Sequence, residues 1–419
     1  MKRWLTLLVL VLVLVLLLAA AALWWLNVRG DDPGSGSAAG AAAGPEQVAR
    51  GAYLARAGNC RDCHTPRGAA PYSGGRGIPT PFGTVYSSNL TPDLQTGIGA
   101  WSAADFRRAL HNGRSRDGRL LYPAFPYDAY TRISAADADA LFAYLRSLPA
   151  VAQPNRPHAL RFPYDTQAAL AVWRALFFRP ARFEPDATRP PDWNRGAYLV
   201  QGLGHCAACH AERNLLGATR DAAGLGGGLI PLQNWYAPPL RTAQPGALAA
   251  LLQTGRSDTA ALLGPMAEVV LHSTQHLDAA DLRAMAVYLQ SLPASPPMDV
   301  PAVSATAAQR TQGEALYRDH CSGCHGEQGQ GVPGAYLPLA GNPAVLRPTP
   351  ANLVQVVLGG AFAASTAGNP RPFGMPPFAT ALSDEEIAAV LSHVRSAWGN
   401  QAGAVKALDV QRYRDSVRP

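Results

Sequence analysis

The chain has 419 residues, with 36 Lys and Arg against 29 Asp and Glu and a formal net charge of +7 at pH 7. The basic residues are scattered rather than clustered, so they carry no nucleic-acid signature; an acidic partner or anionic lipid is what such a modest excess could help to dock. All six cysteines fall in three short motifs, which leaves no further thiol to complete zinc sites or a separate disulfide framework.

Lys2 and Arg3 precede an apolar run from Trp4 to Leu26 that only Thr6 interrupts. A helix needs about 20 apolar residues to cross a bilayer. The apolar region of a cleaved signal peptide is shorter, about 7 to 15 residues. Residues 1–28 are therefore expected to be an uncleaved transmembrane anchor, with Ala19 to Ala22 as the one stretch that could serve a cleavage site. Trp4 at one end and Trp24 and Trp25 at the other suit the two membrane interfaces. The leading basic residues put the N-terminus in the cytoplasm and the remaining chain outside. Residues 29–46 are rich in Gly, Ala and Ser without apolar periodicity, and read as a flexible tether that spans on the order of 20 to 25 Å.

An internal repeat follows. Its first copy, residues 47–150, opens with Arg50-Gly51-Ala52-Tyr53-Leu54, reaches Cys60-x-x-Cys63-His64 and closes with the amphipathic stretch Asp137 to Leu148. Residues 151–192 form an irregular bridge with a helical patch from Gln167 to Phe178. Its Trp173, Phe177 and Phe178 are expected to pack between domains. The second copy, residues 193–294, opens with Arg195-Gly196-Ala197-Tyr198-Leu199, continues to Cys206-x-x-Cys209-His210 and closes with Asp281 to Leu292. After a Pro- and Ser-rich linker, 295–306, the third copy spans residues 307–400: Gly313 to Tyr317, then Cys321-x-x-Cys324-His325, then Asp384 to Trp398. Ser134, Asp278 and Ser383 offer N-caps for the closing helices. The tail, 401–419, is polar and uninformative. Gly224 to Gly228 does not open a helix after a strand and reads as a turn, not a nucleotide loop.

Cys-x-x-Cys-His is the attachment signature of c-type haem. The two thiols each bond a haem vinyl group, and the adjacent imidazole becomes the proximal iron ligand. Three covalently bound haems c are therefore expected, on Cys60, Cys63, Cys206, Cys209, Cys321 and Cys324, with His64, His210 and His325 on the irons. High Gly and Pro content suits loops that wrap a flat cofactor and argues against a large sheet. The expected fold is mainly α, three tandem haem domains after an N-terminal transmembrane helix.

The distal ligands differ between copies. Met375, in Phe373-Gly374-Met375-Pro376-Pro377, lies 50 residues after His325, and Met266, in Gly264-Pro265-Met266, lies 56 residues after His210. Both are expected to bind iron through the thioether. Met285 falls on the apolar stripe of its helix and Met298 in a linker, so both are read as structural. The first copy has no methionine; Phe125 stands in the corresponding stretch, 61 residues after His64. Its iron is either five-coordinate or bound by His111, which otherwise reads as a polar residue at a helix C-terminus.

The stretches RGAYL, WNRGAYLVQGLGHCAACH, GPMAEVV and FGMPPF resemble the membrane-bound triheme cytochrome c subunits of bacterial periplasmic dehydrogenases, from Arg50 to Trp398. Relatives serve alcohol, gluconate, sorbitol, fructose and aldehyde dehydrogenases. The resemblance implies a large catalytic subunit carrying pyrroloquinoline quinone, flavin or molybdenum, and electrons passing through the haems to ubiquinone or a terminal oxidase. It also implies haem domains in the periplasm, held at the bacterial inner membrane. Family members usually carry Met in a YPAMPY stretch where this chain has Phe125, a version closer to cytochromes paired with molybdenum hydroxylases. The alternative function is a peroxidase-like haem enzyme using a five-coordinate first haem.

Overall fold

The computed structural model describes residues 2–29, 43–221, 223–241, 244–293 and 303–417. Most of the expected tether and of the 295–306 linker, with Met298, lies outside these residues. Two compact units emerge. One comprises Met1–Pro185 with Gln201–His205 and Asn214–Ala218; the other comprises Asp186–Val200, Cys206–Arg213 and Thr219–Pro419. The first carries the first haem motif and the second carries the other two.

In the first unit, α1 (Lys2–Val28) is a continuous helix whose most apolar stretch is left uncovered by the other described residues. α2 (Pro45–Ala57) leads to the single-turn α3 (Cys60–His64). After the hairpin of β1 (Gly77–Thr80) and β2 (Gly83–Tyr86) come α4 (Ala103–Asn112), α5 (Tyr127–Tyr130) and α6 (Ala135–Arg146). β3 (Ala159–Leu160) adds to β2 in antiparallel register, Gly83 opposite Leu160, and α7 (Gln167–Phe177) follows. Residues 151–185 of the bridge are thus part of this unit, and 186–192 belong to the other. Trp173 donates from Nε1 to the Leu216 carbonyl at 2.8 Å, and the Phe178 ring meets Tyr127 edge-on at 4.9 Å, so the bridge aromatics pack inside the first unit.

The end of α1 is not loose. Asn27, which is buried, donates to the Ala171 carbonyl of α7 at 3.0 Å and accepts from Arg174 Nε at 3.1 Å, while Arg114 donates to the Asn27 carbonyl at 3.1 Å. Composition does not report that Asn27, the polar residue that ends the apolar run, is itself a docking group.

The second unit repeats the plan twice. α8 (Pro191–Gln201) and α9 (Ala207–His210) are followed by β4 (Gly228–Leu229) paired with β5 (Tyr236–Ala237), α10 (Pro245–Thr254), α11 (Pro265–His272) and α12 (Ala279–Gln290). Then come α13 (Ala307–His320), α14 (Ser322–His325), α15 (Ala351–Gly359), β6 (Ala361–Phe362) paired with β7 (Gly374–Met375), α16 (Asp384–Ser396) and α17 (Ala407–Val417). Among the described residues, strands occur only in these ribbons of two or three.

One contact recurs in all three copies. A Cβ at Gly51 would collide with the Ala140 carbonyl, at Gly196 with the Ala284 carbonyl and at Gly313 with the Ala389 carbonyl. The opening helix of each copy crosses its closing helix at a point where only hydrogen fits. Beside the first two crossings stand Arg50 with Asp137 (2.7 Å) and Arg195 with Asp281 (2.8 and 2.7 Å). The closing helices start as expected at Ser134, which caps Asp137, and at Ser383, which forms a reciprocal capping box with Glu386.

The tail contributes to the third copy's core. Val405 and Val410 are fully buried with Leu358, Ile387 and Leu391, and Arg414 donates to Asp384 at 2.6 Å. Among the described side chains of α17, Ala407, Val410 and Tyr413 face this cluster, too few apolar positions to stand out in a polar segment.

Candidate haem sites

Each motif forms one helical turn, so its two thiols and its imidazole come from adjacent positions of a short rigid segment. The chain enters the first two through strained backbone: Asn59 (φ 48°) precedes Cys60 and His205 (φ 35°) precedes Cys206, both in the left-handed region. In every pair the first cysteine is half-buried and the second exposed, and none forms a disulfide. Burial and the paired thiol push Cys60 and Cys206 up to about 12 and Cys321 to about 11.

The imidazoles are held alike. His64 Nδ1 lies 2.7 Å from the Ser88 carbonyl, His210 Nδ1 2.6 Å from that of Pro238, and His325 Nδ1 3.0 Å from that of Leu337. A carbonyl only accepts, so Nδ1 carries the proton and Nε2 keeps its lone pair. That is the arrangement in which an outer partner orients a metal-binding imidazole. Burial, the largest influence, holds all three below the usual histidine range and keeps the rings neutral. Two thiols on one turn and an oriented neutral imidazole match the chemical needs of a covalent haem.

The second site is braced by the third copy within the same unit. Asn352 of α15 accepts from the Tyr236 amide at 2.8 Å and donates to its carbonyl at 2.9 Å, two residues from the carbonyl that orients His210. The Arg347 guanidinium also lowers His210 electrostatically. Sequence reasoning missed Ser88, Pro238 and Leu337, whose contributions are backbone carbonyls and leave no residue-type signal. It missed Arg347 and Asn352 as well, since they act from another copy.

Met375, half-buried in β7, pairs with Ala361 of β6 and packs on the third copy's core. Met266, also half-buried, stands in the first turn of α11 after Gly264, whose φ is 56°. Met285 is buried on α12, as its place on the apolar stripe implies. Phe125 packs 5.4 Å from the Tyr130 ring, and the Tyr130 hydroxyl donates to the Gly58 carbonyl at 3.4 Å, beside the first motif. Burial and the nearby Cys60 and Cys63 raise that hydroxyl well above the ordinary tyrosine range. His111 has different surroundings. Its ring bonds the Ile133 carbonyl, its charged neighbours are Arg182 and Arg107, and its buried Nε2 has no hydrogen-bond partner.

Residues 48–149 and 311–398 match the family described as cytochrome c. The chain is 38% identical over 398 residues to the cytochrome c subunit of a quinone-type alcohol dehydrogenase from Gluconacetobacter polyoxogenes, covering 89% of this chain and 85% of that one. It is 37% identical to a gluconate 2-dehydrogenase cytochrome c subunit from Pantoea cypripedii, over 88% of this chain and 89% of that one. The chain belongs to the family of dehydrogenase cytochrome c subunits. A nicotinate dehydrogenase polypeptide from Pseudomonas putida is 40% identical over 87% of this cytochrome, which spans 31% of that longer protein. Membership implies covalent haem c, electron transfer and a catalytic dehydrogenase partner for this cytochrome subunit. The apolar α1 fits a membrane anchor.

Proposed function

We propose that this cytochrome carries three covalent haems c and passes electrons from a periplasmic dehydrogenase to ubiquinone in the bacterial inner membrane, with α1 uncleaved as its anchor. The observation that carries the reading is the threefold repetition of one seat: a cysteine pair on a single turn, with an imidazole whose Nδ1 is engaged by a backbone carbonyl. The haems supply one-electron exchange; the chain supplies their attachment, their axial ligands and their polarity. Met266 and Met375 serve as thioether ligands of the second and third irons. The first iron would have no sulfur ligand, because Phe125 stands where the other two copies carry a methionine. His111 as its ligand is the competing assignment, and a low-spin ferric signal from that haem decides for it.

The partner is a large subunit with molybdenum, flavin or pyrroloquinoline quinone. Affinity capture of this chain from native membranes tests the proposal: a dehydrogenase should co-purify and reduce a soluble ubiquinone analogue when given its substrate. Recovery of a terminal oxidase instead would make the chain its electron donor. Phe125 also favours a second reading, peroxide reduction at an open first haem. Turnover of peroxide by the purified chain without its partner would establish that reading and overturn the first.

A further inference from the structure

α1 ends against α7, and this contact fixes what surrounds α7. Leu23 to Asn27 form the last turn of the apolar helix, and Asn27 is tied to Ala171 and Arg174. If Trp24 and Trp25, both largely exposed, mark the outer interface, α7 lies at the depth of the headgroups. The α7 face away from the protein is apolar. Val172 and Leu176, one turn apart on the same stripe, are 47% and 55% exposed. Beside them, Trp173 holds the loop of Leu215 and Leu216 through its bond to the Leu216 carbonyl, and those leucines are 98% and 45% exposed. Phe162, just before the helix, is 83% exposed.

Large apolar side chains grouped in this way at a surface mark an interaction site. Charge indicates the partner: Arg174 is buried against Asn27, and the exposed charges of residues 159–180 are Arg161 and Arg179 against the single acid Asp165, with Arg29 just after the anchor. An apolar face bordered by arginines suits the boundary between acyl chains and anionic headgroups.

We propose that the outer face of α7, with Leu215, Leu216 and Phe162, docks on the bilayer surface next to the point where α1 emerges, and takes anionic phospholipid as its partner. This rests on α1 being an anchor, and it makes the first unit a monotopic as well as a tethered domain. The contact also reaches the first haem site. Arg174, which holds Asn27, lies over the Tyr127 ring at 5.1 Å, and Tyr127 neighbours Phe125 at 6.4 Å.

The test is photocrosslinking of the full-length haem-loaded chain in phosphatidylcholine nanodiscs with and without phosphatidylglycerol, using a phospholipid with a photoreactive group near its glycerol. Peptides covering 159–180 and 213–218 should be labelled along with α1, more strongly with the anionic lipid. Val172→Glu with Leu176→Glu should abolish the 159–180 labelling at unchanged haem content. Leu215→Glu, on a separate loop, gives an independent check should the double variant misfold. Labelling confined to α1, or spread evenly over the soluble surface, would overturn the proposal. So would labelling that disappears in the complex with the catalytic subunit, since the face would then belong to that partner. A mature chain that begins beyond Leu26 would refute the anchor alone; labelling at 159–180 would then still report on α7.

Discussion

At the scale of single residues, Phe125 separates the first site from the other two. A soft thioether ligand stabilises ferrous iron and raises the potential of a histidine-ligated haem, so the first haem should have the lowest of three potentials in a spectroelectrochemical titration. Phe125→Met should raise that potential and add a sulfur-to-iron charge-transfer band. The same spectrum unchanged would place residue 125 away from the iron. His111 yields a separate expectation. Burial, helped by Arg182 and Arg107, lowers its pKa from 6.5 to about 4. The unfolded chain then binds the extra proton first, so stability is complete above pH 6.5 and declines as the pH falls towards 4. The loss is on the order of 3 kcal/mol. In His111→Gln the difference in unfolding midpoint between pH 7 and pH 4.5 should shrink; an unaltered difference would mean that His111 is not the acid-sensitive group. The motif residues stand out in the sequence because covalent haem attachment would fix their spacing, and the structure places each set on one helical turn. His111 was legible as an oddity, but only Arg107 among its neighbours shares its helix; Ile133 and Arg182 come from later segments that its own helix does not reveal.

Among elements, the helix crossings set the tolerance of each copy. Gly313→Ala must drive a methyl group into the Ala389 carbonyl, and the backbones must part to admit it. Overpacking of this kind costs roughly 1–3 kcal/mol, to be read as a lowered chemical-denaturation midpoint, whereas Gly246→Ala, with open space around its Cβ position and outside the haem motifs, should cost far less. Equal effects would show that the crossing is not the constraint. The opening and closing helices were visible in the sequence from recurring RGAYL-type and amphipathic stretches. The docking of α17 was not, since its few apolar residues meet a core built by other helices. The seat of α1 on α7 was hidden for a related reason: it depends on the Asn27 amide and a carbonyl distant in sequence, and polar contacts leave no hydrophobic period.

For the molecule as a whole, the second and third sites share one unit, and α15 braces the strand beside His210. Replacing Cys206 and Cys209 with Ala should lower the haem content from three to two per chain by pyridine haemochrome assay. Protease sensitivity should then rise in residues 193–294 and at α15 as well. Cleavage limited to 193–294 would show that the brace transmits nothing. Deleting residues 1–28 behind a cleavable export signal should turn a protein that only detergent extracts into one released by high salt, because α7 and its arginines would hold the bilayer without a span. Free solubility at low salt would leave α1 as the whole attachment.

The glycine crossings also bear on how such a chain lengthens. At Gly51 with Ala140, Gly196 with Ala284 and Gly313 with Ala389, the beginning of each copy is brought against its end. A cofactor-binding segment whose two ends meet is a closed cassette, which can be duplicated, removed or exchanged at its borders without rethreading the interior. The reach of an electron wire can then be altered by counting cassettes, while the glycine at each crossing is inherited with every copy.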